Sequence, residues 1–438
     1  MFLPLVACIP PAAPPEGRVV LLGFDGLEYA VLDRLGEDLP NFARLMREGA
    51  RADMTVPPPI MSPILWTTLA SGYAAADHGV TGWADGRGHP VTGADVRVER
   101  LWDAVSASGA SSVVSGWLMT WPATPLNGAM VTDRFVWSFP MNKDPAEPSV
   151  RKSRDLAATT FPDALAATIT ALRPDEAWVA AHPLAYQVAA YGAPFHPLIR
   201  DETQVRAFAS LWPTGDARLG ALYLNGADQV SHLYWPFADP EVYGRIRADP
   251  MARTAAASVF AKPGRRPLPW ADGLDAAALA EAPRWVPDEY RYLDSVLGRV
   301  RALLQPDTTL IVLSDHGFKA STAQPLLNGS HRDRAVFLAV GAHVKPGRVE
   351  APISVYDVTP TAYALLGLPA AADMPGRVLD EIFEVAPVTP LTTRKLDRAL
   401  VAAPAGGLAD EQLKEQLQAL GYLDEDGVPV EEDGRRRP

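Results

Sequence analysis

Three short apolar segments each run into an aspartate, and this pattern constrains the fold more than any other feature of the chain. Arg18-Val19-Val20-Leu21-Leu22-Gly23-Phe24 ends in Asp25-Gly26, Leu219-Gly220-Ala221-Leu222-Tyr223-Leu224-Asn225 leads to Asp228, and Thr308-Thr309-Leu310-Ile311-Val312-Leu313-Ser314 leads to Asp315-His316. Near-continuous apolar runs of this length read as strands buried on both faces. Asp288 to Leu304 has the periodicity of an amphipathic helix, and Leu39 to Met46 repeats it with Gly49 just beyond as a stop. Val358 to Leu366 reads as a further short helix closed by Gly367, with Asp357 placed to cap it. Strands alternating with helices predict an α/β fold with a mostly parallel central sheet flanked by helices. In such sheets, sites form at the carboxyl ends of the strands.

Composition narrows the partners. The chain has 438 residues, 48% of them apolar, enough for one large domain with insertions. Its 42 prolines are about twice the usual share and predict stiff, irregular loops. The net charge of -12 repels polyphosphate backbones, so no nucleic-acid-binding surface is expected. An anionic substrate would need a local positive feature, which bound metal ions would supply. With Cys8 as the single cysteine, no intramolecular disulfide can form. No apolar run is long enough for a membrane-spanning helix.

The chain divides into three parts. Residues 1–16 hold Leu5-Val6-Ala7-Cys8, which resembles a bacterial lipobox, and then a Pro/Ala-rich tether. This predicts a lipoprotein anchored through a lipidated Cys8, in the periplasm or at the cell surface. The residues before Cys8 include no basic one and fall short of a full signal peptide; without such a signal the protein is cytoplasmic. Residues 17–385 read as the main domain. A Trp-, Pro- and Ala-rich stretch within about 136–275 reads as an inserted cap, interrupted by the strand ending near Asn225. Residues 386–438 carry one surface helix, at Leu413 to Tyr422, and a charged tail. No signal fixes an oligomeric state.

The candidate chemistry lies in five places. Asp25 closes the first strand, Asp228 and His232 form an Asp-x-x-x-His unit, Asp315-His316 follows the third strand, and His331 lies in Gly329-Ser330-His331. Ser62 opens the fifth, Ser62-Pro63-Ile64-Leu65-Trp66-Thr67-Thr68-Leu69-Ala70-Ser71-Gly72. Three aspartates and three histidines can be divided between two zinc ions, which accept carboxylate oxygen and imidazole nitrogen. The same donors suit manganese. Two ions about 3.5–4 Å apart clamp the attacking and leaving oxygens of a phosphoryl displacement, and a serine hydroxyl beside them becomes a nucleophile. Ser62 followed by Pro63 reads as an N-cap and first helical residue, placing a phosphoryl group on Ser62 at a helix N-terminus. His78 precedes Gly79 and reads as structural, while His89, His182, His196 and His343 have no motif support. Lys319 reads as a surface lysine.

The order Asp, Ser, Asp-x-x-x-His, Asp-His, His resembles the alkaline phosphatase superfamily. It is most similar to the type I phosphodiesterase and nucleotide pyrophosphatase branch with its phosphohydrolase/phosphomutase relatives. Leu22-Gly23-Phe24-Asp25-Gly26, Ser62 to Gly72, Asp77-His78-Gly79-Val80, Leu313 to Phe318, Gly329-Ser330-His331, Tyr356 to Thr361 and Asp373-Met374-Pro375-Gly376-Arg377 carry the likeness, over about residues 18 to 380. It implies an alkaline phosphatase-like fold. One zinc site would hold Asp228, His232 and His331, and the other Asp25, Asp315 and His316. Ser62 would be the nucleophile between them, because the family nucleophile lies ten residues before the glycine matching Gly72. Thr67 and Thr68 are the alternatives.

The departures concern the substrate. Pro63 lacks the backbone N–H often found after the nucleophile. Leu65 stands where nucleotide pyrophosphatases carry an oxyanion-binding Asn. Ile64 and Trp66 stand where sulfatases need Pro and Arg, which argues against a sulfatase. The expectation is a small phosphate-ester substrate, cleaved by a phosphodiesterase through a phosphoseryl intermediate. One alternative is a phosphomonoesterase or a phosphomutase-like transferase, for which Arg151, Arg154, Arg200 and Arg206 offer a second clamp without forming a pattern. The other is a catalytically inactive surface lipoprotein.

Overall fold

The first strand, β1 (Arg18–Phe24), lies at the centre of the sheet because both of its faces are apolar. In the computed structural model, which describes residues 17–85, 89–135, 157–191, 197–258, 274–321, 328–387 and 391–392, β1 pairs in parallel with β6 (Leu219–Leu224) and β7 (Thr308–Leu313). These are the three apolar runs of the sequence. Beyond β6, β3 (Ser112–Ser115) and β4 (Gly128–Val131) continue the parallel array, and β5 (Thr160–Phe161) closes that edge antiparallel. Beyond β7, β10 (Arg334–Val340) runs antiparallel between β7 and β2 (Ala50–Thr55).

Side chains alternate across the sheet, so each run feeds two cores. Val20, Leu22, Leu222, Leu310 and Val312 face a layer that includes helices Leu198–Leu211, Gly226–Ala238 and Trp285–Ala302. Val19, Leu21, Ala221, Ile311 and Leu313 face the opposite layer, with helices Ser62–Ser71, Leu101–Ala107 and Val358–Leu366. The α/β architecture with a mostly parallel, doubly covered sheet is as the sequence predicts. Within 136–275, the Leu198–Leu211 helix packs on β3 and β6. Cys8, the helix expected at Leu413 to Tyr422, His196, and residues 136–156 and 259–273 of the cap stretch lie outside the described residues.

Two helix starts differ from expectation. Met61, in extended conformation, is the N-cap, so Ser62 is the first helical residue and Pro63 the second. Proline suits that position equally, because the early N–H groups of a helix have no intrahelical acceptor. Asp357 takes the N-cap position of the helix after it but makes no side-chain capping bond there; its carboxylate accepts from Ser354 N–H and Arg377 N–H, closing the short turn before the helix.

Candidate active site

Parallel pairing of β1, β6 and β7 brings their carboxyl ends to one edge, and the site assembles there. Asp25 follows β1, and Gly26 turns the chain with φ +69°, a conformation that favours glycine. Asp228 and His232 lie one turn apart at the start of the Gly226–Ala238 helix that follows β6. Asp315-His316 follows β7. The hairpin of β8 (Gly317–Ala320) and β9 (Gly329–Arg332) then folds back and stacks His331 on His316, ring centroids 3.7 Å apart.

All seven predicted residues meet in one buried cluster. Asp228 Oδ1 is its hub, 3.3 Å from His232 Nε2, 3.5 Å from His331 Nε2 and 3.8 Å from His316 Nε2. His316 Nε2 is also 3.3 Å from Asp25 Oδ1 and 3.5 Å from Asp315 Oδ2. Ser62 Oγ lies 3.5 Å from the same nitrogen. Two groups have donor atoms close enough together to hold a metal ion: Asp228 with His232 and His331, and Asp25 with Asp228 and His316. The first is the trio named from the sequence. In the second, Asp228 takes the place given to Asp315, which stands beside His316.

The donor chemistry fits cations. Asp25 Oδ1, Asp228 Oδ1 and Asp315 Oδ2 are buried without a hydrogen-bond donor among the described residues, and such atoms are costly unless something positive satisfies them. His316 Nδ1 lies 3.2 Å from Gly317 C=O, and His331 Nδ1 3.1 Å from Ile60 C=O. A carbonyl can only accept, so both rings hold a proton on Nδ1, and their Nε2 atoms face the cluster, where a metal ion would take the lone pair. The Nε2 atoms of His331 and His232 stand 3.1 Å apart.

Protonation follows the same logic. Burial pushes the Asp228 carboxyl up, but His232 and His331 outweigh it and hold the group well below the carboxylate range. Burial, with Asp25 and Asp228 alongside, pushes Asp315 well above that range. Burial lowers His316, but Asp25 and Asp228 outweigh it and raise the imidazole. Protons balance the crowded carboxylates here, and a divalent cation would do so in their place.

Two aromatic residues complete the Asp25 side. Trp66 Nε1 donates to Asp25 Oδ2 at 3.0 Å and Tyr223 O–H donates to the same oxygen at 2.6 Å. Burial and the nearby Asp25 hold the Tyr223 hydroxyl well above its ordinary pKa, so it stays a donor. Gly23 makes room for the indole, since a Cβ there would lie 2.5 Å from the Trp66 ring. Sequence reasoning missed both donors. The available signal was a tyrosine inside a fully buried strand, whose hydroxyl must find a partner.

The remaining candidates have structural partners. Thr67 Oγ1 donates to Pro63 C=O at 2.7 Å, and Thr68 Oγ1 is 3.2 Å from His78 Nε2. His78 accepts from Val80 N–H, and burial lowers its pKa to about 4, so it is neutral. Lys319 is exposed.

An α/β sheet that collects carboxylates and imidazoles at its carboxyl edge, beside a hydroxyl on a helix N-terminus, is built for metal-dependent hydrolysis. Residues 19–349 match the sequence model of the type I phosphodiesterase / nucleotide pyrophosphatase family, and the chain belongs to that family, within the alkaline phosphatase superfamily. It is a phosphoric ester hydrolase, and its family is metal-dependent. Among solved structures, human ectonucleotide pyrophosphatase / phosphodiesterase 5 is similar at 13% identity and TM-score 0.49, over 84% of this chain and 100% of that one. The murine counterpart in complex with AMP is similar at 12% identity and TM-score 0.47, over 81% and 96%. A 2-O GAG sulfatase is similar at 12% identity and TM-score 0.48, over 83% and 73%. No curated protein matches the chain.

Proposed function

We propose that the protein is a phosphodiesterase that works through a phosphoseryl intermediate on Ser62, with two zinc ions held by the Asp and His cluster. The observation that carries this reading is the place of Ser62 Oγ, at the head of a buried ten-residue helix and 3.5 Å from His316 Nε2. Thr67 and Thr68 on the same helix have their hydroxyls engaged elsewhere.

Asp228, His232 and His331 would hold one ion, and Asp25, Asp315 and His316 the other, with Asp228 within reach of both. When bound, the ions would lower the pKa of the Ser62 hydroxyl and stabilise charge on the transferring phosphoryl group. Ser62 Oγ forms a bond to phosphorus as the bond from phosphorus to the leaving alcohol oxygen breaks. The oxygen of a water molecule then displaces Ser62 Oγ, releasing a phosphate monoester and restoring the serine. The N-terminus of the Ser62–Ser71 helix favours the anion throughout, through its dipole. Trp66 and Tyr223 keep Asp25 aimed by occupying its outer oxygen.

Zinc-reconstituted protein is expected to hydrolyse bis-p-nitrophenyl phosphate in preference to p-nitrophenyl phosphate. Ser62→Ala is expected to lose about 10⁴-fold or more in turnover, as loss of a nucleophile does. A monoester preference would move the substrate class to monoesters, and full activity in Ser62→Ala would remove the serine from the mechanism.

A further inference from the structure

The Gly226–Ala238 helix has an unusual start. Asn225 occupies the N-cap position but makes no side-chain capping bond. Asp228 is then the third helical residue, the place from which an acid in a capping box folds back onto the N-cap N–H. Among the described residues three other turns do that: Asp95 accepts from Thr92 N–H at 2.8 Å, Asp103 from Arg100 N–H at 3.0 Å, and Asp357 from Ser354 N–H at 2.8 Å. Asp228 does not. Its Oδ1 has no hydrogen-bond donor among the described residues and faces the three imidazoles.

Asp201, from the Leu198–Leu211 helix, occupies the place that Asp228 leaves. It accepts from Asn225 N–H at 3.3 Å and from Gly226 N–H at 2.9 Å, and it is only 3% exposed. Glu289, 1% exposed on the Trp285–Ala302 helix, closes the space from the other side. A Cβ on Gly226 would lie 2.3 Å from Glu289 Oε1 and 2.8 Å from Asp201 Oδ2, so Gly226 is required for both carboxyls to approach.

We propose that Asp201 is a positioning residue that caps the metal-bearing helix from outside and so releases Asp228 to bind metal. Asp201 touches neither substrate nor metal. Without it, the Gly226 N–H is a buried donor and the Asn225 N–H a part-buried one, both lacking an acceptor, and Asp228 stands at the capping-box position of the same helix, from which a carboxylate folds back onto the N-cap N–H. Turning inward to the N-cap would withdraw Asp228 from His232, His331 and His316. This rests on the reading of Asp228 as a metal ligand.

The test is zinc affinity of the metal-stripped full chain, by competition with a chromogenic chelator, with urea unfolding of each metal-free variant alongside. Asp228→Ala is the control. Asp201→Ala is expected to weaken zinc binding by about 10–100-fold, the range for loss of an outer-shell partner. Asp201→Asn keeps an acceptor oxygen and is expected to bind zinc close to the wild-type level. If Asp201→Ala lowers only the urea midpoint while zinc affinity stays intact, Asp201 is a structural cap and the inference is overturned. If Asp201→Ala does not fold, Asp201→Asn decides, and a folded Asn variant that has lost zinc affinity also overturns it. If Asp228→Ala itself leaves zinc affinity unchanged, the ligand assignment fails, and the inference fails with it.

Discussion

The two sides of the Asp and His cluster are held in different ways. Asp25 is fixed locally: it ends a central strand, and Trp66 and Tyr223 clamp the oxygen that points away from the site. Asp228 is fixed remotely, as its helix start is tied down by Asp201 and its inner oxygen meets three imidazoles. A strand end is already rigid through its ladder, so a ligand there needs only its side chain oriented. A helix N-terminus offers competing N–H donors to any carboxylate in its first turn, so a ligand there must also be kept from capping.

The sharpest way to break this contrast is to remove the hub. Asp228→Ala is expected to reduce metal stoichiometry on both sides and to lower turnover by about 10³-fold or more, beyond the 10–100-fold typical of outer-shell changes. Asp25→Ala should empty one side only. Equilibrium dialysis with metal analysis reads the difference, and equal losses in the two variants would erase the distinction.

The clamp comes next. Tyr223→Phe removes the 2.6 Å donor to Asp25 and leaves Trp66 alone on that oxygen. About 10–100-fold weaker metal binding is expected, confined to the Asp25 side, with little change in the urea midpoint. A loss spread over both sides would show that the two are not separately supported.

Gly23→Ala tests the same clamp through packing. The added Cβ would meet the Trp66 ring at 2.5 Å, so the indole must move off β1. Overpacking of this kind costs about 1–3 kcal/mol. Denaturant unfolding would show it, and a shifted Trp fluorescence would tie it to Trp66.

The last test belongs to the remote side and reads a slope with pH. Burial raises Asp201 to about 7, despite Arg200 and the Asn225 and Gly226 N–H groups that lower it. Because the folded form holds this proton more tightly than the unfolded chain, its contribution to stability falls as pH rises from the ordinary carboxylate range, near 4, to about 7, where it levels off. One group changes stability by at most about 1.4 kcal/mol per pH unit. Asp201→Asn should flatten the metal-free stability profile across that window. An unchanged slope would show that Asp201 titrates normally.

Much of this architecture was legible in the sequence. The three apolar runs became adjacent parallel strands, the helix read from Asp288 formed but starts nearly a turn earlier at Trp285, the one ended by Gly367 formed where its stop signal lies, and the seven site residues came to one place. The antiparallel β10 was not read, because its pairing depends on the β8–β9 hairpin and not on a crossover helix. The one-residue shift at Ser62 reflects how weakly local chemistry distinguishes a cap from a first turn.

Residue order and type by themselves determined which groups could bind a metal and which edge of the sheet would carry them. An apolar run that ends in an acid can bury the run and present the acid only at a strand end. Tertiary structure alone decided that Asp228 and not Asp315 stands within reach of all three imidazoles, that Trp66 and Tyr223 hold Asp25, and that Asp201 relieves Asp228 of capping. Each of these depends on the distance and direction of one polar atom relative to another supplied by a separate element. Those are settled only when the strands and helices pack together.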